Sequence, residues 1–130
     1  MKLAASVIFA AVLFAAPASD QADTSGLAWL KLLDSGKYPD SWREASTYFR
    51  SRVPQKQWVT TVQGVRTPLG PLVSRYLAIA TFTKTLSGAP DGRYALVQFQ
   101  TSFQNKANAA EILTLIADGE KWRVAEYIIR

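Results

Sequence analysis

The spacing of apolar residues changes once along the chain, from a helical repeat to the two-residue repeat of β-strands. From about residue 23 to residue 66, apolar side chains recur every three or four positions, as Leu27, Leu30 and Leu33 do, which is typical of helices that bury one face. After residue 72 apolar and polar residues alternate, most regularly from Ala95 to Phe103. The segment 67–71 separates the halves because its two prolines and its glycine cannot continue a helix. This order predicts an α+β domain with helices first and a sheet second.

Three helices are expected in the first half. The first covers about residues 23–34 and stops at a Ser-Gly pair. A linker at 37–39 follows, and the second helix begins at a capping box in which Ser41 and Glu44 satisfy each other's free backbone amides. The third has Pro54 in its first turn, where the missing amide proton costs nothing.

Four antiparallel strands joined by turns are expected in the second half, over about residues 73–86, 95–103, 111–117 and 121–130. In a regular last strand, Trp122 and Tyr127 would lie on opposite faces. We therefore predict a β-bulge near Ala125-Glu126 that brings both rings to one side. The expected fold is three N-terminal helices packed on a curved, four-stranded antiparallel sheet, cone-like in shape.

The first 18 residues are typical of a cleavable export signal. Met1-Lys2 supplies a positive end, residues 3–16 are uncharged and almost wholly apolar, and Ala16-Pro17-Ala18 fits a cleavage site. As a helix, that apolar run would span only about 21 Å, against about 30 Å of bilayer hydrocarbon. We expect a cut after Ala18, a single domain over residues 19–130, and an exported protein, periplasmic or secreted, without a stable membrane anchor.

The composition excludes several classes of chemistry. The chain has no cysteine and no histidine, so it cannot form a Ser-His-Asp triad, a cysteine nucleophile or a histidine-based zinc site. No glycine-rich phosphate loop and no cluster of calcium-binding carboxylates occurs, so we expect no cofactor and no metal. The net charge of +5 is spread along the chain, and for an exported protein we expect no nucleic-acid partner.

Several short blocks follow one another along the chain: Ala45-Ser46-x-x-Phe49, Trp58, Arg66-Thr67-Pro68-Leu69-Gly70, Ser74-Arg75, Gly88-Ala89-Pro90-Asp91-Gly92-x-Tyr94, Thr101-x-Phe103 and Trp122-Arg123-Val124-Ala125-x-Tyr127. In these blocks and in their order the chain resembles the bacterial domain-of-unknown-function family 4019. The resemblance implies an exported bacterial protein with no assigned activity. The order of elements also resembles the cone-shaped fold of nuclear transport factor two and ketosteroid isomerase, a likeness of fold that implies no chemistry.

Carboxylates and tyrosines are the remaining candidates for catalysis. Pockets like that of ketosteroid isomerase use a carboxylate base and hydroxyl donors. Glu111 and Glu126 lie on expected strands, and Tyr127, Tyr76 or Tyr94 could supply a hydroxyl. A carboxylate on a strand is more often solvent-facing, and a tyrosine more often packs with its hydroxyl in water. We therefore assign no catalytic residue; Glu126, Glu111 and Tyr127 form the set for an alternative enzyme.

Three groups of residues are candidates for binding. Arg66 and Arg75 flank the Pro-Leu-Gly turn and could hold an anion, although hydrogen bonds to helix-end carbonyls are the favoured interpretation. Trp122 could line a ligand cavity with the other tryptophans, although their spacing favours core packing. The polar stripe from Gln98 to Gln104 fits a protein-binding face and a solvated face equally well.

These observations favour an exported, non-catalytic binding module that takes a small apolar ligand or an envelope protein on its curved sheet. The alternative is a pocket enzyme of the isomerase or dehydratase type that uses a carboxylate and a tyrosine.

Overall fold

The computed structural model describes residues 21–130. Four helices precede four strands: α1 Ala22–Asp34, α2 Tyr38–Glu44, α3 Thr47–Arg52, α4 Gln55–Leu69, β1 Leu72–Thr83, β2 Tyr94–Phe103, β3 Lys106–Asp118 and β4 Lys121–Ile129. The α+β class and the four-stranded antiparallel sheet are confirmed. The export signal predicted over residues 1–18 lies outside the described residues.

The second predicted helix is wrong in its start and in its continuity. Ser41 does not cap a helix but lies inside α2, where its hydroxyl donates a hydrogen bond to the carbonyl oxygen of Tyr38 at 2.6 Å. The helix then breaks before Ser46, whose hydroxyl accepts from the amide of Phe49 at 3.0 Å and caps α3 instead. The amide of Ser46 donates to the carbonyl oxygen of Val124 on β4 at 2.8 Å. A contact with a distant strand therefore sets the break.

The strands form one meander in the order β1-β2-β3-β4, with every neighbouring pair antiparallel. The strands β1 and β4 are therefore the edges of the sheet. The third strand begins at Lys106, five residues before the predicted start at 111, because the polar connection after β2 is a tight turn that already belongs to the ladder.

The helices pack on one face of the sheet, which we call the inner face. Strand β2 shows this most clearly, because from Ala95 to Phe103 its residues alternate between buried and partly buried, as the sequence predicts. The buried core joins both layers and consists of Ala22, Trp29, Leu30, Leu33, Trp58, Val62, Ala95, Val97, Phe99, Leu113, Leu115, Trp122 and Val124. The opposite face of the sheet is called the outer face.

The predicted bulge in the last strand is confirmed. Thr114 pairs with Glu126, but the next residue, Leu115, pairs with Val124, which leaves Ala125 as the extra residue. The bulge puts Trp122 and Tyr127 on the inner face together. The Tyr127 ring meets Trp29 edge-on, with ring centroids 5.5 Å apart.

Deletion of Ala125 should shift the pairing register of residues 126–130 by one residue and so move Tyr127 to the outer face. Loss of a packed aromatic ring from the core should lower the free energy of unfolding by about 3 kcal/mol or more. Urea unfolding followed by tryptophan fluorescence measures the change, and Ala125→Ser, which keeps the chain length, serves as the control. A deletion variant as stable as that control would show that the bulge does not set the face of Tyr127.

Candidate functional site

Glu111 lies in the core. It has no exposed surface, and it pairs in register with Phe99 on β2 and Ile129 on β4. The expectation that this strand carboxylate faces solvent is wrong. The reason is the alternation of side chains along β3. Glu111 is two residues before the buried Leu113, so both side chains project from the inner face.

Three donors hold the buried carboxylate of Glu111. Its Oε1 accepts from Nε of Arg75 and from the hydroxyl of Thr101, both at 2.7 Å. Its Oε2 accepts from the hydroxyl of Tyr127 at 2.5 Å. Both oxygens are therefore satisfied, which is the condition for keeping a charge inside a fold.

The guanidinium of Arg75 joins Glu111 to a second carboxylate. Its Nη1 and Nη2 donate to Oδ2 and Oδ1 of Asp34 at 2.8 and 3.0 Å. Asp34 is the last residue of α1, and Nη2 of Arg66 on α4 donates to its Oδ1 at 2.7 Å. Two arginines and two carboxylates thus balance in charge. We call these four side chains, with Thr101 and Tyr127, the ionic cluster.

Within the ionic cluster, neighbouring groups shift one another's pKa values. Burial alone would raise the pKa of the Asp34 carboxyl, but hydrogen bonds from Arg75 and then Arg66 hold it below its ordinary value. Burial alone would lower the pKa of Arg75, but its bonds to Asp34 and Glu111 raise it. Burial and then the charge of Glu111 raise the pKa of the Tyr127 hydroxyl, which stays protonated as a donor.

The favoured interpretation of the two arginines is wrong. Within residues 21–130, neither Arg66 nor Arg75 binds a helix-end carbonyl; both bind the carboxylate of Asp34, because α1 ends beside them. The anion between them is thus supplied by the chain itself. Arg66 also lies over the ring of Phe103, 4.9 Å from its centroid, and its Nε and Nη1 are buried without a partner among the described residues.

The other candidates lie apart from the ionic cluster. Glu126 is exposed on the outer face, where it accepts from the hydroxyl of Thr114 at 3.3 Å. The structure therefore brings Glu111 and Tyr127 together and leaves Glu126 on the far side of the sheet. Trp122 is 5% exposed and packs into the core, with the Arg93 guanidinium 5.7 Å from its ring centroid.

Among the surface grooves formed by residues 21–130, two stand out, and the ionic cluster lines neither of them. The larger, about 650 Å³, runs between α1, α2 and the start of β4, over Trp29, Leu32 and Trp122. The smaller, about 180 Å³, lies at the end of β1 beside Phe82. Neither contains Glu111, Glu126 or Tyr127 in its walls. Within residues 21–130, no three side chains of the kinds that ligate metals come together.

Two members of the ionic cluster, Asp34 and Thr101, are not among the candidates drawn from the sequence. Only weak features of the sequence indicate that these two residues are buried with charged or polar partners. Asp34 ends a helix, where a carboxylate opposes the helix dipole and needs a cationic partner. Thr101 stands between Phe99 and Phe103 on the dry face of its strand, where a buried hydroxyl needs an acceptor.

The fold and the ionic cluster define a two-layer α+β domain whose helices are tied to the sheet by buried charges. Residues 25–127 match the family described as "Protein of unknown function (DUF4019)", so the chain belongs to that family. A comparison with curated proteins finds no match. None of the helices within residues 21–130 is long and apolar enough to cross a membrane.

Asp34→Asn should change how stability depends on pH. Because the pKa of Asp34 is lowered in the folded state, its charge stabilises the fold above the ordinary carboxyl range, and that contribution is lost as the pH falls through the lowered value. The substitution should cost about 3 kcal/mol at pH 7 and much less at pH 2. Urea unfolding from pH 2 to 7 measures this difference.

The exposed Glu120 in the turn before β4 supplies the control, since Glu120→Gln removes a carboxylate that has no role in the ionic cluster. That variant should follow the wild-type pH curve. If the difference in stability between Asp34→Asn and the wild type stayed constant from pH 7 to pH 2, the charge of Asp34 would contribute nothing to folding.

Proposed function

We propose that the protein is an exported, non-catalytic binding module that holds an envelope protein on the outer face and open edge of its sheet. The supporting observation is the position of the exposed apolar side chains. Apart from Val65 on α4, the large apolar residues that stand exposed in the described chain all lie on β1, at 44–66% exposure: Val73, Tyr76, Leu77, Ile79 and Phe82. By the register, Tyr76 and Ile79 lie on the outer face, whereas Leu77 and Phe82 lie on the inner side of the open edge. Single exposed apolar residues are ordinary, but a group of five along one edge strand is typical of an interaction site.

The apolar surface continues from β1 across the sheet. The register places Ile79, Gln98, Ile112 and Ile128 side by side on the outer face of all four strands. The three residues other than Ile79 are partly buried by their neighbours, and the core helices pack on the opposite face. Isoleucines interspersed with amides form the mixed surface that is typical of protein interfaces.

A small apolar ligand has less support. The larger groove has a floor of Trp29 and Trp122, but these side chains are only 4% and 5% exposed and offer little apolar surface. Its rim is charged and includes Lys37, Arg43 and Lys121. Pockets for apolar ligands are lined predominantly by accessible apolar and aromatic side chains.

The enzyme alternative has one observation in its favour, since Glu111 is buried against the hydroxyl of Tyr127. A general base must also reach a substrate. Here Arg75 is paired with Glu111, and neither groove reaches Glu111 or Tyr127. These contacts favour a structural role for Glu111 over proton transfer.

The binding surface is tested by capture from envelope extract. The chain from residue 19, carrying an affinity tag, should retain one or more envelope proteins, and Ile112→Lys should reduce their recovery at least about tenfold, because a charge would be desolvated at the centre of the outer face. Quantitative mass spectrometry measures the recovery, with circular dichroism confirming that the variant is folded.

Val65→Lys makes the same chemical change at an exposed apolar site on the helical layer and should retain full capture. Equal recovery by Ile112→Lys and by the wild type would contradict the outer face as the binding surface. No reproducible capture by the wild type would contradict the proposed function itself.

A further inference from the structure

The free edge of β1 lacks most of the features that keep edge strands apart. It is 12 residues long and contains no proline. Natural edges usually place lysine or another charge on such a strand. The only charged residue of β1 is Arg75, and its side chain is 4% exposed and turned inward to Asp34 and Glu111. No backbone hydrogen bond from the described residues reaches the free side of the strand.

The bulges in β1 determine which self-pairing is possible. Ala78 has no partner on β2, since Leu77 pairs with Phe99 and Ile79 with Gln98. The extra residue puts Tyr76 and Ile79 on the same, outer face although they are three positions apart. In a regular strand, residues at that spacing lie on opposite faces.

This arrangement permits a symmetric antiparallel pair. Opposite residues in such a pair must point to the same face. If Tyr76 of one copy lies opposite Ile79 of the other, Ser74 then meets Thr81, also on the outer face. The inner-face residues Arg75 and Ala80 meet in the same register. An aromatic residue opposite a β-branched one is a favourable cross-strand pair.

Charge and area also allow a second copy at this edge. The protein carries a net charge of +5, which would oppose self-association, but the paired residues bring no exposed charge together. The five exposed apolar residues are divided between the two faces, since Leu77 and Phe82 pair with inner-face residues of β2 and Tyr76 and Ile79 with outer-face residues. A pair formed edge to edge covers only part of each face, so its interface is smaller than the roughly 1,200 Å² that stable complexes bury, and the complex would be a weak dimer.

We propose that two copies of this chain pair antiparallel through β1, with Tyr76 of each opposite Ile79 of the other. The inference rests on the proposed function, because it assigns an occupant to the open edge of the same surface. The two sheets join into one, and Tyr76 and Ile79 of both copies meet at the centre of a doubled outer face. That face stays available to the envelope partner.

Sedimentation of the purified chain from residue 19 tests the dimer. The wild type should dimerise reversibly with a Kd between about 1 µM and 1 mM. Ile79→Lys should weaken the dimer at least about tenfold, because it removes the β-branched residue opposite Tyr76 and places on the edge the lysine that natural sheets use to prevent pairing. Val65→Lys, with the same added charge on α4, should leave the Kd unchanged. A wild type that is monomeric at millimolar concentration overturns the proposal.

Cysteine substitution tests the register, because the chain has no cysteine of its own. When Tyr76→Cys and Ile79→Cys proteins are mixed and oxidised, the mixed disulfide should form in preference to either homodimer, since directly opposite Cβ atoms lie within disulfide reach. A mixture of the Tyr76→Cys and Thr81→Cys proteins should form several-fold less mixed disulfide, because these positions are not directly opposite in the proposed register. Preferential linkage of that second pair overturns the register.

The dimer and the proposed function fail separately. If the protein is monomeric but still captures an envelope protein, and Ile112→Lys abolishes that capture, the dimer proposal alone is contradicted. If the protein dimerises and forms the predicted disulfide but captures no envelope protein, the proposed function is contradicted and the self-pairing is supported.

Discussion

The guanidinium of Arg75 is the contact on which the arrangement of layers depends. It stands on an edge strand, binds Asp34 at the end of α1, and binds Glu111 on β3. One side chain therefore ties the helical layer to two strands of the sheet. The buried carboxylate of Glu111 depends on this partner and on its hydroxyl donors, since an unpaired buried charge is strongly destabilising.

The same contact shapes the surface. Because the charge of Arg75 is turned inward and neutralised, β1 presents an uncharged face and edge to solvent. The apolar residues on β1 are then left without the charged neighbours that would discourage pairing. The carboxylate of Glu111 and the hydroxyl of Tyr127, which would suit an enzyme, are held here by contacts within the core, and the proposed function therefore assigns binding to the outside of the sheet.

The sequence predicts features set by neighbouring residues and misses those set by distant ones. The bulge at Ala125 and the dry face of β2 follow from local alternation, and both are confirmed. The break before Ser46 depends on Val124, far along the chain. The burial of Glu111 depends on Arg75 and Tyr127, which meet it only after the sheet has formed. A rule that strand carboxylates face solvent therefore fails at this position.

A double-mutant cycle between Arg75 and Glu111 tests the central role of the ionic cluster most directly. Arg75→Met alone should lower the free energy of unfolding by about 3–5 kcal/mol, because it leaves Glu111 charged and without its cation. The cost of the double variant Arg75→Met/Glu111→Gln should be well below the sum of the single costs, by more than about 1 kcal/mol. Costs that add to within about 0.5 kcal/mol would contradict the account.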